Sequence, residues 1–261
     1  MKPFLPLALA ALSGPVFAGP ALTSDTVITK AKHSDAVSMM GHEQPAKDTV
    51  EVTWIGKDHM RVEDGEDVTI VRADLKKMYK LNTAAKTFST VDLPLDMKKY
   101  VPAEVAPMIE HMMGQMKVTV TPTTETKKIK DWNATRYTMT MSMPMGASVT
   151  QEIWATKDIT IDPAAHEMRI SFLSADPMVG AAMASEMRKV DGVPVLSETT
   201  MVVMGNESMS REEVTSIEQK EAPAGFYDVP AGFTEKPFDP MAEGGGMGPK
   251  MGGRGHGPRG G

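Results

Sequence analysis

Residues 50–93 constrain the fold most strongly, because their pattern is typical of short antiparallel strands joined by tight turns. Val52 and Trp54 stand two positions apart, which is the period of a strand with one buried face. Asp64 and Gly65 supply the positive φ angles that a hairpin turn requires. Further strands are predicted at 68–71, 78–81 and 87–91. Such strands bury one face only, so the sheet needs an apolar cover or an apolar guest.

The composition of the 261-residue chain excludes several classes of protein. A formal net charge of −6 excludes nucleic acid as a main partner, since phosphate binding requires a basic surface. The absence of cysteine excludes disulfides, thiolate metal sites and a cysteine nucleophile. The chain has 24 methionines and only 5% aromatic residues, so methionine is expected to fill much of the apolar interior.

The N-terminus predicts export. Lys2 precedes the apolar run 4–12, and the run 16–18 ends in the small residue of a signal-peptide cleavage site, with cleavage after Ala18. The apolar run is too short to span a bilayer. We therefore expect a signal peptide at 1–18 and a periplasmic or secreted protein that does not span the membrane. A folded domain is predicted at 19–240, and the glycine-rich stretch 241–261 is expected to be a disordered tail.

In two stretches the apolar residues recur every three or four positions, as in a helix, and no longer every two positions, as in a strand. In residues 102–116, Met108, Met112 and Met116 recur at the spacing of one helix face. Residues 163–189 predict helices with Met168 and Phe172 on the apolar side. These methionine-rich faces suit packing against the core or a movable lid over a lipid-sized cavity, because thioether side chains adapt to irregular contacts.

The most regular local pattern is a ladder of methionines at 139, 141, 143 and 145. Alternation with polar residues places all four on one face of one strand. Such a wall suits a protein core or contact with acyl chains. It also suits Cu(I), provided that a second element such as the one carrying Met112 or Met168 adds a thioether.

No linear motif of a catalytic site stands in the sequence. The serine nucleophile motif G-x-S-x-G, the zinc motif H-E-x-x-H and a phosphate-binding glycine loop are all missing. We therefore expect neither enzymatic activity nor a cofactor.

Four runs carry a family resemblance: 54–62, the hairpin 75–82 closing on 86–88, 152–156, and 226–233. They resemble an exported bacterial family of unknown function that is similar to the LolA/LolB lipoprotein carriers. The resemblance covers residues 26–236. It implies an α+β fold in which an incomplete, open antiparallel β-barrel is covered by short helices and encloses an apolar cavity for acyl chains.

The predicted function is that of an exported carrier that holds a lipid or a lipidated segment without covalent chemistry. A periplasmic copper-binding protein that uses thioethers is one alternative. A regulatory or structural module that senses an envelope partner protein is the other. The candidate ligand contacts are Trp54, Met60, Tyr79, Phe88, Met112, Tyr137, Met139, Met141, Met143, Trp154, Met168 and Phe172.

Overall fold

The computed structural model describes residues 24–39, 42–96, 99–143, 146–174, 180–203 and 205–240. The predicted signal peptide, the glycine-rich tail and Met145 lie outside these residues. Within them the protein is mostly β, with one large open sheet and few helices. None of the helices in the described part of the chain combines the length and the hydrophobicity needed to cross a bilayer.

The described ranges contain fourteen strands and three helices. The strands are β1 (Asp25–Ser34), β2 (Val37–Met39), β3 (His42–Gln44), β4 (Lys47–Ile55), β5 (His59–Asp64), β6 (Asp67–Arg72), β7 (Lys77–Asn82), β8 (Thr87–Asp92), β9 (Lys117–Ile129), β10 (Trp132–Ser142), β11 (Ser148–Thr156), β12 (Val193–Val203), β13 (Asn206–Lys220) and β14 (Thr234–Glu235). The helices are α1 (Ala106–Gln115), α2 (Pro163–Ser174) and α3 (Gly180–Met187).

Twelve strands form a single sheet in the order β14-β8-β7-β6-β5-β4-β1-β13-β12-β11-β10-β9, while β2 and β3 form a separate hairpin. Strands β4 to β8 and strands β9 to β13 are two antiparallel meanders. β1 joins them by pairing with β4 on one side and β13 on the other. The strand order does not return on itself, so the sheet is open between β14 and β9.

Helices α2 and α3 pack on one face of the sheet, which we call the inner face. Ala165 and Met168 of α2 lie in a buried cluster with Met60. Met183 of α3 lies in a second buried cluster with Met139. The inner face therefore combines the apolar sides of both meanders.

Residues 93–116, here called the crossover segment, connect β8 near one end of the sheet with β9 at the other, and they contain α1. Leu95 and Tyr100 at the start of this segment pack against the cluster around Met60. Met116 at its end packs against the cluster around Met139. The crossover segment therefore begins and ends on the inner face.

The opposite face, here called the outer face, is partly covered by the C-terminal segment, residues 221–240. Tyr227 packs against the buried cluster around Ile70. The segment then pairs with β8 through β14. Beyond that strand Phe238 meets Tyr100 edge to face, with the ring centroids 5.0 Å apart. One stretch of chain thus covers part of the outer face and passes around the β8 end of the sheet.

The meander predicted from residues 50–93 is confirmed by β4 to β8. Gly65, with a φ of 63°, stands in the turn expected there. The expected α+β class is corrected to a mostly β fold, because the helices are short beside strands of up to 15 residues. Helix α1 starts at Ala106, later than the predicted 102, since Pro107 has no N–H to donate and must stand in the first helical turn.

Candidate functional site

Seven methionines share one apolar cluster on the inner face, and we call this set the methionine wall. Met139, Met141 and Met183 are buried in the cluster. Its partly buried members are Met116, Met143, Met187 and Met201. They come from the crossover segment, from β10 and the residue after it, from α3 and from β12. The wall is therefore assembled from several elements and extends from a buried centre to a partly open rim.

Alternation along β10 builds the centre of this wall. Met139 pairs with Val120 of β9, and Met141 pairs with Val149 of β11, so the thioethers stand beside branched apolar side chains on the same face. Tyr137 lies on the same face, and its hydroxyl accepts a 3.2 Å hydrogen bond from the backbone N–H of Asp191. That bond ties the segment after α3 to β10.

Seven of the sequence-predicted contacts belong to the inner face or to the helix above it. Met60, Tyr137, Met139, Met141 and Met143 lie on the sheet side, and Met168 and Phe172 of α2 pack against the cluster around Met60. Met112 lies in α1, and its side chain is outside the described part of the structure.

Three predicted contacts, Trp54, Tyr79 and Phe88, lie on the outer face, which corrects the expectation that all the candidates share one surface. Trp54 pairs with Val27 and Arg61, one position out of phase with the inner residues Ile55 and Met60. Tyr79 and Phe88 pack in the outer cluster. Trp154 alternates with Ile153 along β11 and belongs to the buried cluster around Met60, not to the outer cluster.

The predicted aromatic contacts at positions 54, 79, 88 and 154 are covered by groups of the chain itself. The ring of Phe226 lies 4.8 Å from that of Trp54. Tyr227 and Phe233 pack with Tyr79 and Phe88. The ammonium group of Lys127 lies 3.9 Å from the ring centre of Trp154, within the range of a cation–π interaction.

A cluster of charged side chains interrupts the apolar inner face across strands β5, β4, β1 and β13. Glu51 accepts hydrogen bonds from the ammonium groups of Lys30 at 3.0 Å and Lys32 at 3.1 Å. Glu212 lies 3.4 Å from Lys30, and Asp64 lies 2.9 Å from Lys32. The two cations therefore stand among three carboxylates, and we call this group the charged cluster.

Burial and ion pairing shift the pKa values of these groups in opposite directions. Burial tends to raise the pKa of Glu51, but the two lysine ammonium groups outweigh it and lower that pKa to about 2. Burial tends to lower the pKa of Lys30, but Glu51 and Glu212 outweigh it and raise that pKa. Glu51 and Lys30 are therefore ionised at neutral pH.

Sequence reasoning missed the charged cluster, although a signal for it was present. Lys30 and Lys32 alternate in phase with the buried residue Ile28, so they point to the same face of β1. Charges in phase with a core residue indicate either an ion-pair network or a polar site beneath the cover.

Acidic and histidine side chains do not form a metal site in the described residues, where no group of three or more has suitable geometry. A metal site made of methionine sulfur atoms is a separate question, because the methionine wall contains neither histidine nor carboxylate.

Residues 48–233 match the model of a protein family described as "Domain of unknown function (DUF4412)". The chain belongs to the DUF4412 family. This membership confirms the expectation, drawn from the strand and turn motifs, of a family of unknown function. No curated protein matches this DUF4412 chain in sequence.

Solved structures similar to this DUF4412 protein are remote from it in sequence. One is PNGF-II, with 14% identity, a TM-score of 0.38 and coverage of 84% of this chain. This chain spans only 31% of the length of PNGF-II.

Two further similar structures match most of their own length. A putative outer membrane lipoprotein-sorting protein domain from Vibrio parahaemolyticus has 4% identity and a TM-score of 0.29, with coverage of 78% of this chain and 89% of that domain. LprF from Mycobacterium bovis has 12% identity and a TM-score of 0.24, with coverage of 78% and 88% respectively.

Proposed function

We propose that this DUF4412 protein is an exported binding protein that holds an apolar guest, a lipid or a lipidated segment, on the inner face of its open sheet. The signal peptide is removed on export by cleavage near Ala18, and the guest is held without covalent chemistry. The observation that carries the proposal is the methionine wall, whose members run from a buried centre at Met139 and Met141 to a partly exposed rim at Met143 and Met201.

The cover of the inner face supports this role. Helices α2 and α3 and the two ends of the crossover segment lie over the sheet through side-chain packing, whereas strand pairing joins the sheet itself. Acyl chains can replace such packing contacts with contacts of the same chemistry. Each buried CH₂ group contributes about 0.8 kcal/mol to binding. Unbranched thioethers adapt to chains of different shape, which suits a wall that must pack with and without a guest.

An exposed methionine of α1 fits the same role. The side chain of Met108 is 57% exposed, and α1 belongs to the crossover segment that joins the two ends of the sheet. A lid that moves aside presents apolar side chains of this kind to an entering acyl chain. The guest is therefore expected to enter between the crossover segment and the rim of the methionine wall.

A matched pair of substitutions on neighbouring strands tests the proposal. Met201 of β12 belongs to the rim of the methionine wall, whereas Met209 of β13 points to the outer face and is 52% exposed. N-phenyl-1-naphthylamine, a neutral apolar fluorescent probe, is titrated into the wild-type protein and then displaced with oleyl alcohol. Met201→Lys should weaken probe binding about tenfold, because the guest would bury an ammonium group.

Met209→Lys is the control, and its probe binding should equal that of the wild type. An equal effect of the two substitutions, or wild-type protein that binds no probe, would contradict a guest site on the inner face.

Copper(I) is a second candidate guest, favoured by the position of α3. Met183 and Met187 of α3 lie in the same cluster as Met139 and Met141, so thioethers from a helix and a strand come together. Soft thioether ligands select Cu(I). Joint replacement of Met139, Met141 and Met143 by leucine should abolish copper binding, whereas binding of the neutral probe should persist because the two side chains have similar volumes.

A further inference from the structure

Arg169 of α2 lies on the sheet-facing side of that helix. Ala165 and Phe172, one turn before and one turn after it, both pack on the cluster around Met60. The Nε atom of Arg169 is buried and has no hydrogen-bond partner in the part of the chain that the structure describes. A guanidinium group therefore lies between the helix and the sheet with part of its hydrogen-bonding capacity unused.

The charges around Arg169 do not neutralise it. Burial lowers the pKa of Arg169, and no carboxylate among the described residues offsets that effect. The titratable groups whose pKa values respond to the charge of Arg169 are themselves basic. Arg169 acts against the charged form of Lys30, and it adds to burial in lowering the pKa of His166.

The acidic groups beside Lys30, and Glu167 on the same helix, are engaged with other cations. Glu51 bridges Lys30 and Lys32, and Glu212 lies 3.4 Å from Lys30 and 3.9 Å from Lys32. Glu167 of α2 pairs instead with Arg188 at 3.6 Å, on the exposed side of the helices. An unpaired guanidinium in this position is costly, since removing a charge from water requires a partner of opposite sign.

We propose that Arg169, with Lys30 beside it, binds the anionic oxygen head group of an amphiphile whose hydrocarbon chain lies along the inner face. This assignment rests on the proposed function and adds the chemical class of the guest. Carboxylate and phosphate groups share the chemistry required, because either presents two oxygens to the fork of N–H donors on a guanidinium. The head group supplies a counter-charge that the described residues do not provide.

Competition binding with paired ligands tests the assignment. Oleate and oleyl alcohol have the same hydrocarbon chain, but only oleate has an anionic head group. Lysophosphatidylglycerol and lysophosphatidylcholine both carry a phosphate, but only lysophosphatidylglycerol has a net negative charge. Each ligand displaces N-phenyl-1-naphthylamine from the intact mature protein. The wild type should prefer the anionic member by about tenfold or more, the size of effect that a charge-assisted hydrogen bond produces. The first pair reports on a carboxylate head group, and the second on a phosphate.

Four substitutions locate the preference. Arg169→Met should abolish it while oleyl alcohol binds as before, and Arg169→Lys should retain part of it. Arg188→Gln removes an arginine that is paired and half exposed, and it should leave the preference unchanged. Arg169→Met should also raise the Tm of the ligand-free protein, because an unpaired buried charge has been removed. Arg169→Gln provides a second neutral variant.

The outcomes separate this inference from the proposed function. A wild-type protein that binds oleate and oleyl alcohol equally, or neutral variants that keep the preference, would overturn the role of Arg169 and leave the apolar site intact. A wild-type protein that binds none of the four ligands would overturn both proposals.

Discussion

The hydroxyl of Tyr227 lies 2.5 Å from Oδ2 of Asp25, although the two residues are 202 positions apart in the chain. His59 completes the contact. Its Nε2 lies 3.2 Å from Oδ1 of Asp25, and its ring centre lies 4.0 Å from that of Tyr227. The first strand of the sheet is thereby joined to the C-terminal segment that covers the outer face. The sheet is therefore held at its outer face by the chain itself.

Replacement of Tyr227 by phenylalanine should destabilise the protein by about 1–3 kcal/mol, because Asp25 is buried and would lose its shortest hydrogen bond. Urea unfolding followed by tryptophan fluorescence measures the change. Tyr100→Phe is the matched control, since its hydroxyl accepts an exposed bond that water can replace. Equal losses in the two variants would show that the Asp25 contact contributes little.

Replacement of Glu51 by glutamine should destabilise the protein by about 3 kcal/mol, because Lys30 and Lys32 would keep their charges and lose their shared carboxylate. Asp64→Asn changes a more exposed member of the charged cluster, 39% exposed against 13% for Glu51, and should cost less than about 1 kcal/mol. Chemical denaturation at pH 7 compares the two. A Glu51→Gln protein as stable as the wild type would contradict the ion-pair account of the charged cluster.

Acid should destabilise the wild type partly through Glu51. The pKa of this group is lowered in the folded protein, from 4.5 to about 2, so its contribution is complete above pH 4.5 and is lost as the pH falls through 2. The free energy of unfolding should therefore fall more steeply between these pH values in the wild type than in Glu51→Gln. Parallel curves for the two proteins would show that Glu51 titrates normally.

Replacement of Gly192 by alanine should cost about 2 kcal/mol or more. Its φ is +111°, and an added Cβ would lie 2.3 Å from the carbonyl oxygen of Thr156. Gly205 also has a positive φ, of +81°, but a Cβ there would meet nothing within 4 Å. Gly205→Ala should therefore cost only about 1 kcal/mol of backbone strain. Thermal unfolding compares the two variants, and equal losses would argue against a tight contact at Gly192.

Much of the sheet could be predicted from the sequence, because period-two alternation and turn residues act locally. The pattern around Asp64 and Gly65 predicted β5 and β6, and alternation predicted that Met139 and Met141 share a face. Alternation shows which residues of one strand lie together, but it does not show which face of the sheet the helices will cover. For this reason Trp54 stands among the candidate ligand contacts predicted from the sequence, although it lies on the outer face.

The remaining features depend on contacts between distant parts of the chain. The aromatic residues of the C-terminal segment cover Tyr79 and Phe88, and no local pattern near those strands indicates this. Similarly, the sequence alone shows Arg169 only as one charged residue of an amphipathic helix, because it does not show which side of the helix meets the sheet. The Nε atom of Arg169 is buried because α2 packs against β4 and β5, and this contact is not encoded in the local sequence pattern.

Native mass spectrometry of the mature protein, purified from its own host without detergent, tests the central claim most directly. The protein should carry the additional mass of a lipid, and that mass should be lost from Met201→Lys and retained in Met209→Lys. A polypeptide that carries no additional mass in its native state, or one that carries only a copper ion, would contradict an apolar guest on the inner face.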